Sequence, residues 1–303
     1  MNNHLAITGS TGLVGTAVTD HFALKNFHIT PIVQNNTPLN ANQKVIRWDI
    51  DFGKIDAEAL EGHDIVIHLA GANISSKRWT KEYKNKIRDS RIQSTRLLAN
   101  TILQLRKPPR ILLSASAVGF YGYGLTNDQK DEESENGKDF LADVCREWES
   151  ASENVQHKGV RVVDLRFGVI LAKHGGALAK MLPIFKLGLG GKIATGRQMM
   201  SWVALEEIPF VIDHICNKEN LKGPVNVVSP QGVTNEEFSK ALAEVLHRPA
   251  KFPVPGVLLK MLLGEMAESL LMNGQNAVPK KLLKSGYHFQ YSDLKNTLQK
   301  ILS

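Results

Sequence analysis

The chain has 303 residues, of which 43% are hydrophobic and 22% are charged. This composition is typical of a folded globular protein and excludes an intrinsically disordered chain. The formal net charge is +7, from 37 Lys and Arg against 30 Asp and Glu, and the basic residues are spread along the chain. We therefore expect no nucleic acid partner. The positive field instead favours an acidic or phosphate-bearing small molecule.

Membrane and metal signals are weak throughout the sequence. No stretch reaches the roughly 18 uncharged apolar residues that a membrane-spanning helix requires. The N-terminus has no basic segment followed by a cleavage site, so we expect neither a signal peptide nor a membrane partner. The two cysteines, Cys145 and Cys216, do not form a metal or redox motif. We expect a cytoplasmic protein without a metal site, either a monomer or a homodimer.

Short apolar runs alternate with helical patterns through the first two thirds of the chain. Long helices are predicted over about Thr80–Leu105 and Phe140–Val155. The alternation of strands and helices is typical of a doubly wound parallel sheet of the Rossmann type, an α/β fold. The predicted strands are Leu5–Ile7, His28–Val33, Lys44–Trp48, Ile65–Leu69, Arg110–Ser114 and Val160–Leu165.

The pattern changes after residue 170, where six glycines lie within residues 175–196 and strand signals are few. Pro224–Val228 could return the chain to the sheet, and Thr234 and Glu237 have the spacing of a capping box. We predict a dinucleotide-binding Rossmann domain over residues 1–170, with a return strand near 223–229. Residues 171–222 and 230–303 would form a smaller substrate lobe.

A glycine-rich turn follows the first predicted strand and opens an amphipathic helix. Its glycines would allow a tight turn, a close approach of the backbone to a diphosphate, and close packing of the helix on the strand. The free N–H groups at the positive end of the helix would bind the diphosphate. The sequence therefore predicts a nicotinamide dinucleotide site. Its residues are Gly9, Ser10, Thr11, Gly12, Leu13, Val14 and Gly15.

The end of the second predicted strand bears on the choice between NAD and NADP. NAD sites usually place an acidic residue there, whereas NADP sites use a nearby arginine. The sequence has Gln34, Asn35 and Asn36 at this point, with neither residue type. Without the acid the site would not repel a 2′-phosphate, and the amide side chains could donate hydrogen bonds to it. We therefore favour NADP(H) over NAD(H), with Gln34 and Asn35 as contacts.

Several further motifs are shared with one known family. With them the chain resembles the extended short-chain dehydrogenase/reductases, and in particular the atypical, NAD-dependent epimerase-like proteins that carry a C-terminal lobe of unknown function. The resemblance covers essentially the whole chain. The motifs are His68–Ala72, Ser114–Gly122, Lys77–Trp79, Arg88–Arg91, Phe140–Ala142 with Trp148 and Glu149, Gly196–Gln198 with Met200–Trp202, and Gly264–Ala267.

The resemblance implies a site as well as a fold. It places Leu69, Ala70 and Gly71 on the adenosine and ribose side of the cofactor. Ser114 and Ala115 would lie beneath the nicotinamide end. The implied activity is that of an oxidoreductase or epimerase-like enzyme acting on a small molecule.

The usual catalytic pair of this superfamily is missing. Ordinary members use a tyrosine and, four residues later, a lysine that lowers the pKa of the phenol. The matching positions here hold Leu141 and Cys145, or Phe140 and Val144 if the alignment shifts by one. Neither pair can replace the tyrosine and lysine. A protein that binds NADP(H) without catalysis, as a redox sensor or regulatory partner, is therefore a competing interpretation.

Two hydroxyl groups are candidate substitutes for the missing pair. Ser116 falls at the family's catalytic serine or threonine position and could bind a substrate oxygen. Tyr121 could act as an acid or base, or it could pack beneath the cofactor, and the sequence leaves both interpretations open. Glu132 and Glu133 could contact substrate, but a charged surface loop is the preferred interpretation.

Arginine and tryptophan residues form the candidate substrate set. Arginine suits bidentate capture of a carboxylate or phosphate, and tryptophan offers an apolar face for stacking. Packing between the lobes and surface ion pairs are the alternative. The candidates are Arg78, Trp79, Arg197 and Trp202.

Overall fold

The computed structural model describes residues 3–38, 43–124 and 128–303. Fourteen strands are found in these ranges. They are β1 (His4–Thr8), β2 (His28–Gln34), β3 (Ile46–Asp49), β4 (Lys54–Ile55), β5 (Ile65–His68), β6 (Ile111–Ala117), β7 (Gln129–Lys130), β8 (Arg161–Phe167), β9 (Val169–Leu171), β10 (Met199–Met200), β11 (Trp202–Ala204), β12 (Gly223–Val227), β13 (Val233–Thr234) and β14 (Asn276–Ala277).

Eleven α-helices are described in the same ranges. They are α1 (Leu13–Leu24), α2 (Ala57–Leu60), α3 (Lys81–Gln104), α4 (Phe140–Ser150), α5 (Gly176–Lys186), α6 (Ile208–Asn217), α7 (Asn235–Val245), α8 (Gly256–Leu263), α9 (Glu265–Ala267), α10 (Lys280–Lys284) and α11 (Leu294–Leu302).

Eight of the strands form the central sheet, in the order β12-β8-β6-β5-β1-β2-β3-β4. Every neighbouring pair is parallel except β3 and β4, which are antiparallel. The predicted doubly wound parallel sheet is therefore confirmed. The strand order reverses at β1, because β2 lies on one side of it and β5 on the other. Ligands of such sheets bind at this reversal, beyond the carboxyl ends of the strands.

Helices cover both faces of the sheet. Leu5 and Ile7 of β1 share one core with α1 and α6, whereas Ala6, between them, packs in a second core with α3. All four residues of β5 are buried, as expected for a parallel strand that is covered on both faces. The alternation of side chains along β1 therefore assigns each neighbouring residue to a different layer.

Two long helices support the site, and both begin at side-chain caps. The hydroxyl of Thr80 accepts from the backbone N–H of Tyr83 at the start of α3. The carboxylate of Asp139 accepts from two N–H groups at the start of α4. Helix α4 ends at Ser150, earlier than predicted, and the chain continues as a tighter helix over Glu153–Lys158. The cap residues thus fix where each helix starts.

A smaller core lies beyond the sheet. Trp202, Phe238 and Leu298 are fully buried in it, and α5, α7 and α11 enclose them. Helix α7 begins with a capping box in which Thr234 and Glu237 satisfy each other's backbone N–H groups. Two short strand pairs, β9 with β11 and β10 with β13, connect this core to the sheet.

The C-terminal segment is less regular than its apolar sequence suggests. An apolar helix is predicted over Leu258–Leu271, but Gly264 adopts a φ of +62° and ends α8 there. The remainder of the predicted helix consists of the short α9 and a wide helical turn over Glu268–Met272. Among the described residues, no helix combines the length and the apolar character needed to span a bilayer.

Candidate active site

The glycine-rich turn joins β1 to α1 at the point where the strand order reverses. Gly9 has a φ of +68°, and the N–H of Gly12 donates to its carbonyl oxygen at 3.0 Å. Within the described residues no side chain caps the start of α1. The first N–H groups of the helix therefore have no side-chain acceptor among those residues and lie at the positive end of the helix dipole, which suits an anion.

Close packing holds the turn in place. A Cβ on Gly15 would lie 2.0 Å from the carbonyl oxygen of Gly9, and one on Gly9 would lie 3.1 Å from the carbonyl carbon of Leu69. Thr11 and Gly12 remain exposed. The fold thus brings the turn against the loop after β5, so that two of the predicted cofactor segments are adjacent.

A buried hydrogen-bond chain positions the loop after β5. The hydroxyl of Thr8 accepts from the N–H groups of Leu69 and Ala70 at 2.9 and 3.1 Å, so its own proton is donated to Nδ1 of His68 at 2.8 Å. Nε2 of His68 then donates to the hydroxyl of Ser94 on α3 at 3.1 Å. Burial lowers the pKa of His68 to about 4, so the ring is neutral near pH 7 and serves as a fixed relay.

Gly71 completes this loop at an exposed position. The side chain of Arg91 lies beneath it, and its guanidinium donates to the carbonyl of Ala72 at 3.0 Å. The loop is thus held by α3 as well as by the hydroxyl of Thr8. Leu69, Ala70 and Gly71 are accordingly fixed at the edge of the sheet where the glycine turn also lies.

The structure adds a residue at the end of β2 that the sequence reasoning missed. Gln34 and Asn35 are exposed, and Arg47 of β3 donates to the carbonyl oxygens of both. The side-chain amide of Asn35 donates to Asp49 at 3.3 Å. Arg47 pairs in register with Val33. The sequence signal that could have revealed this residue was an arginine on the neighbouring strand, β3, rather than on β2 itself.

Ser116 belongs to a buried ion pair on the α4 side of the sheet. Its hydroxyl donates to Oε1 of Glu149 at 2.6 Å. The guanidinium of Arg166 on β8 donates to both oxygens of that carboxylate, at 2.8 and 2.7 Å. The Ser116 residue is only 3% exposed. The guanidinium also stacks 3.4 Å from the centre of the Phe120 ring.

Tyr121 adjoins the same ion pair. Its hydroxyl donates to the side-chain oxygen of Asn226 at 2.7 Å and accepts from Arg166 at 3.0 Å. Burial raises the pKa of Tyr121 to about 12, although the nearby guanidinium opposes the shift. The phenol therefore keeps its proton near neutral pH, where it can donate a hydrogen bond but is a poor base.

The preferred sequence interpretation of Glu132 is wrong. Instead of lying on a charged surface loop, Glu132 is buried and accepts from the N–H groups of Asn226 and Lys281. Its neighbour Glu133 is exposed and forms an ion pair with Lys280 at 2.8 Å. The difference arises because β12 and α10 bring the N–H groups of Asn226 and Lys281 to Glu132, which the local sequence does not show.

Ser114 and Ala115 lie inside β6, beneath the carboxyl edge of the sheet. Both are buried, and in the described part of the chain the hydroxyl of Ser114 has no hydrogen-bond partner. Ser114 pairs in register with Asp164 of β8. Burial, together with the charge of Glu149, raises the pKa of Asp164 well above its usual value.

Helix α4 places apolar and thiol groups where the usual catalytic pair is expected from the alignment. Gly119 packs against Leu141 and Cys145, since a Cβ on it would lie 3.5 and 3.7 Å from their side-chain atoms. Burial raises the pKa of Cys145 to about 12. Its thiol is therefore protonated near pH 7 and is a poor nucleophile.

The arginine and tryptophan candidates do not form one cluster. Trp79 is buried with Tyr83 and Ile87, and its indole N–H donates to the carbonyl of Ile74 at 2.8 Å. Arg78, its neighbour, is exposed and its guanidinium lies against Gly264. Arg78 and Trp79 thus join the loop after β5 to the C-terminal segment.

Trp202 lies in a different core from Trp79. It is 0% exposed, so the sequence-based proposal of a direct substrate contact needs correction: the side chain packs with α5 and α7 inside the smaller core. Arg197 is exposed at the loop before β10 and is accessible to a ligand. A tryptophan in a motif does not reveal whether its ring faces a crevice or a core.

The sheet reversal, the glycine turn and the loop after β5 define a dinucleotide-binding fold of the extended short-chain dehydrogenase/reductase class. The model of the NAD dependent epimerase/dehydratase family matches residues 5–227, and a domain of unknown function, DUF1731, matches residues 254–301. The chain belongs to the NAD-dependent epimerase/dehydratase family, as an atypical member with this C-terminal domain.

Known proteins of this kind align over nearly the whole chain. Epimerase family protein Mb2239 of Mycobacterium bovis is 37% identical over 298 residues, which cover 98% of this chain and 97% of that protein. The crystal structure of human epimerase family protein SDR39U1 (isoform 2) with NADPH has a TM-score of 0.89 and 29% identity, and covers 98% of both chains. Thermus thermophilus UDP-glucose 4-epimerase, in complex with NAD, shares the fold at a TM-score of 0.73 and 18% identity, over 99% of both chains.

Proposed function

We propose that this protein is an NADP(H)-dependent oxidoreductase or epimerase-like enzyme that acts on a small molecule. The observation that carries the proposal is the uncapped, glycine-lined start of α1 with the Arg47 guanidinium at the adjacent end of β2. The first feature suits the diphosphate and the second suits a 2′-phosphate. The solved relative with NADPH supports the same choice.

The residues present fit a dinucleotide. A Cβ at Gly12 or Gly15 would press on the carbonyl oxygen of Gly9, at 3.2 and 2.0 Å, so both glycines are needed for the tight turn that would hold the diphosphate. Leu69, Ala70 and Gly71 would contact the adenosine and ribose side, while Gln34 and Asn35 would frame the 2′-phosphate. When bound, the nicotinamide supplies a hydride acceptor or donor, and the protein supplies orientation.

The cofactor preference can be tested at Arg47. We expect Arg47→Ala to weaken NADPH binding about tenfold, the loss of one charge-assisted contact, and to leave NADH binding nearly unchanged. Fluorescence titration with each cofactor measures both constants. Arg96→Ala, an exposed arginine of α3, is the matched control and should change neither. Equal weakening of NADPH and NADH binding by Arg47→Ala would contradict the NADP(H) assignment. Tighter binding of NADH than of NADPH by the unmodified protein would also contradict it.

Ser116 is the candidate contact for the substrate oxygen in this proposal. Its hydroxyl lies near the carboxyl end of β6 and is polarised by the Glu149 carboxylate. Tyr121, with its raised pKa, would act only as a hydrogen-bond donor. Arg78 and Arg197 are exposed and can attract an acidic substrate group.

Turnover tests this role for Ser116. A metabolite screen that follows NADPH oxidation first identifies a substrate. We then expect Ser116→Ala to lower kcat about a hundredfold, with the NADPH dissociation constant unchanged. Ser150→Ala, an exposed serine of α4, should retain full activity. Unchanged turnover in Ser116→Ala rules the assignment out.

A second candidate function is a redox sensor that binds NADP(H) without catalysis. It is favoured because the hydroxyls of both candidates, Ser116 and Tyr121, already form hydrogen bonds with buried side chains. Leu141 and Cys145, which pack against Gly119, offer no alternative acid or base near pH 7. The sensor predicts NADPH binding with no oxidation by any metabolite. Cofactor turnover that depends on an added substrate would exclude it.

A further inference from the structure

Helix α8 turns its apolar face towards solvent. Val257, Leu258, Met261 and Leu262 lie in one arc of the helix, and their exposed fractions range from 48% to 73%. None of the eight residues of α8 is buried. Surface helices ordinarily direct such a face to the core, and a contiguous apolar patch of this kind marks an interaction surface.

A neighbouring loop extends the apolar surface. Ile184 near the end of α5, followed by Leu187 and Leu189, is exposed, as is Phe252 in the segment before α8. These side chains and those of α8 include most of the large exposed apolar residues in the described ranges. The apolar exposure is therefore concentrated on one part of the molecule.

Backbone hydrogen bonds join the two segments side by side. The N–H of Phe252 donates to the carbonyl of Gly190 at 3.4 Å, and the N–H of Ala194 donates to the carbonyl of Val254 at 2.9 Å. The segments 184–194 and 248–262, which carry the exposed apolar side chains, thus lie side by side. We refer to them together as the α5–α8 face.

The α5–α8 face is basic. Its two segments contain five Lys and Arg residues and no Asp or Glu. Lys192 and Lys260 form ion pairs with Glu236 and Glu268, which come from outside the two segments. Lys186, Arg248 and Lys251 are exposed, so positive charge remains in excess beside the apolar side chains.

We propose that the α5–α8 face docks on the surface of an anionic lipid bilayer. A short apolar helix flanked by lysines lies in the interface, with the apolar side chains among the acyl chains and the ammonium groups at the anionic headgroups. Because α8 has no buried residue, it lies at the surface, where its apolar arc is accessible to a bilayer. A peptide partner would instead need a groove.

A second copy of this chain fits the face less well. A symmetric dimer places the same patch of both subunits in contact. Two faces that each contain five basic residues, of which only Lys192 and Lys260 are paired with carboxylates in the described ranges, would repel each other. The bilayer proposal revises the sequence-based expectation of no membrane partner, which considered only spanning segments and a signal peptide.

Vesicle sedimentation with the full-length protein tests the proposal. We expect binding to phosphatidylcholine vesicles that contain phosphatidylglycerol, weaker binding at high salt, and little binding to pure phosphatidylcholine. The double variant Leu258→Glu/Met261→Glu should lower the partition coefficient about tenfold or more, since it places carboxylates in the apolar arc. Circular dichroism and thermal unfolding of each variant verify that it is folded.

Matched controls place the same substitution on exposed apolar residues elsewhere. Leu24→Glu and Phe52→Glu alter side chains that are 86% and 78% exposed, and both should bind vesicles like the unmodified protein. Three results overturn the proposal: no vesicle binding by the unmodified protein, equal binding by the α8 double variant, or a dimer that the double variant converts to a monomer without any vesicle binding. None of these results depends on cofactor preference or turnover, so failure here is distinguishable from failure of the proposed enzyme.

Discussion

Gly15→Ala is expected to weaken NADPH binding about a hundredfold and to lower stability by about 1–3 kcal/mol. The reason is steric, because the added Cβ would lie 2.0 Å from the carbonyl oxygen of Gly9. Backbone cannot yield as the end of a side chain can, so the turn or α1 must move. A shift of about 1 Å at a cofactor site has effects of this size. Fluorescence titration with NADPH and urea unfolding measure the two losses.

Gly53→Ala is the control for backbone strain without cofactor contact. Gly53 has a φ of +61° in the turn between β3 and β4, and a Cβ there meets open space. Its substitution should cost about 1 kcal/mol of stability, the price of a left-handed alanine, and leave NADPH affinity unchanged. If Gly15→Ala retains normal NADPH affinity, the glycine turn is not the diphosphate site.

Arg166→Leu is expected to lower the free energy of unfolding by about 3–5 kcal/mol, because it leaves the buried carboxylate of Glu149 without its cation. The Arg166 side chain is only 3% exposed and makes two hydrogen bonds to that carboxylate. Urea denaturation, read as a change in midpoint at constant slope, measures the loss.

Two further variants identify the cause of that loss. Arg146→Leu makes the same substitution in an exposed pair with Asp143 and should change stability little, since surface ion pairs contribute little. The double variant Arg166→Leu/Glu149→Leu removes both buried charges and should recover part of the stability lost by Arg166→Leu alone. A double variant less stable than Arg166→Leu would show that packing, rather than the unpaired charge, dominates.

The fold was predictable because its signals are local and repeated. Apolar runs with glycine turns at their ends predicted the parallel sheet, and the glycine spacing after β1 predicted the turn that the structure places at the strand reversal. The boundaries were less accurate. Helix α4 ends at Ser150 instead of Val155, and the C-terminal helix breaks at Gly264, because tertiary packing and a left-handed glycine decide those ends.

The candidate site was predictable only where a single segment forms it. Arg47 lies twelve residues beyond Asn35 and reaches it only because β3 pairs with β2. Glu132 was wrongly predicted to lie on a surface loop, because the residues that bind it, Asn226 and Lys281, are distant in sequence. Trp202 was predicted to contact substrate, yet it is fully buried.

The sequence by itself determined the parallel α/β fold, the family and the glycine turn, because strand and helix periodicity and glycine spacing are properties of short segments. Only the tertiary structure determines which charged side chains contact each other. Arg166, Glu149 and Ser116 come from three separate elements and are brought together by the pairing of β6 with β8 and the packing of α4. Likewise, only the folded chain shows that α8 leaves its apolar arc exposed, since an apolar helical pattern is the same whether its face meets a core or solvent.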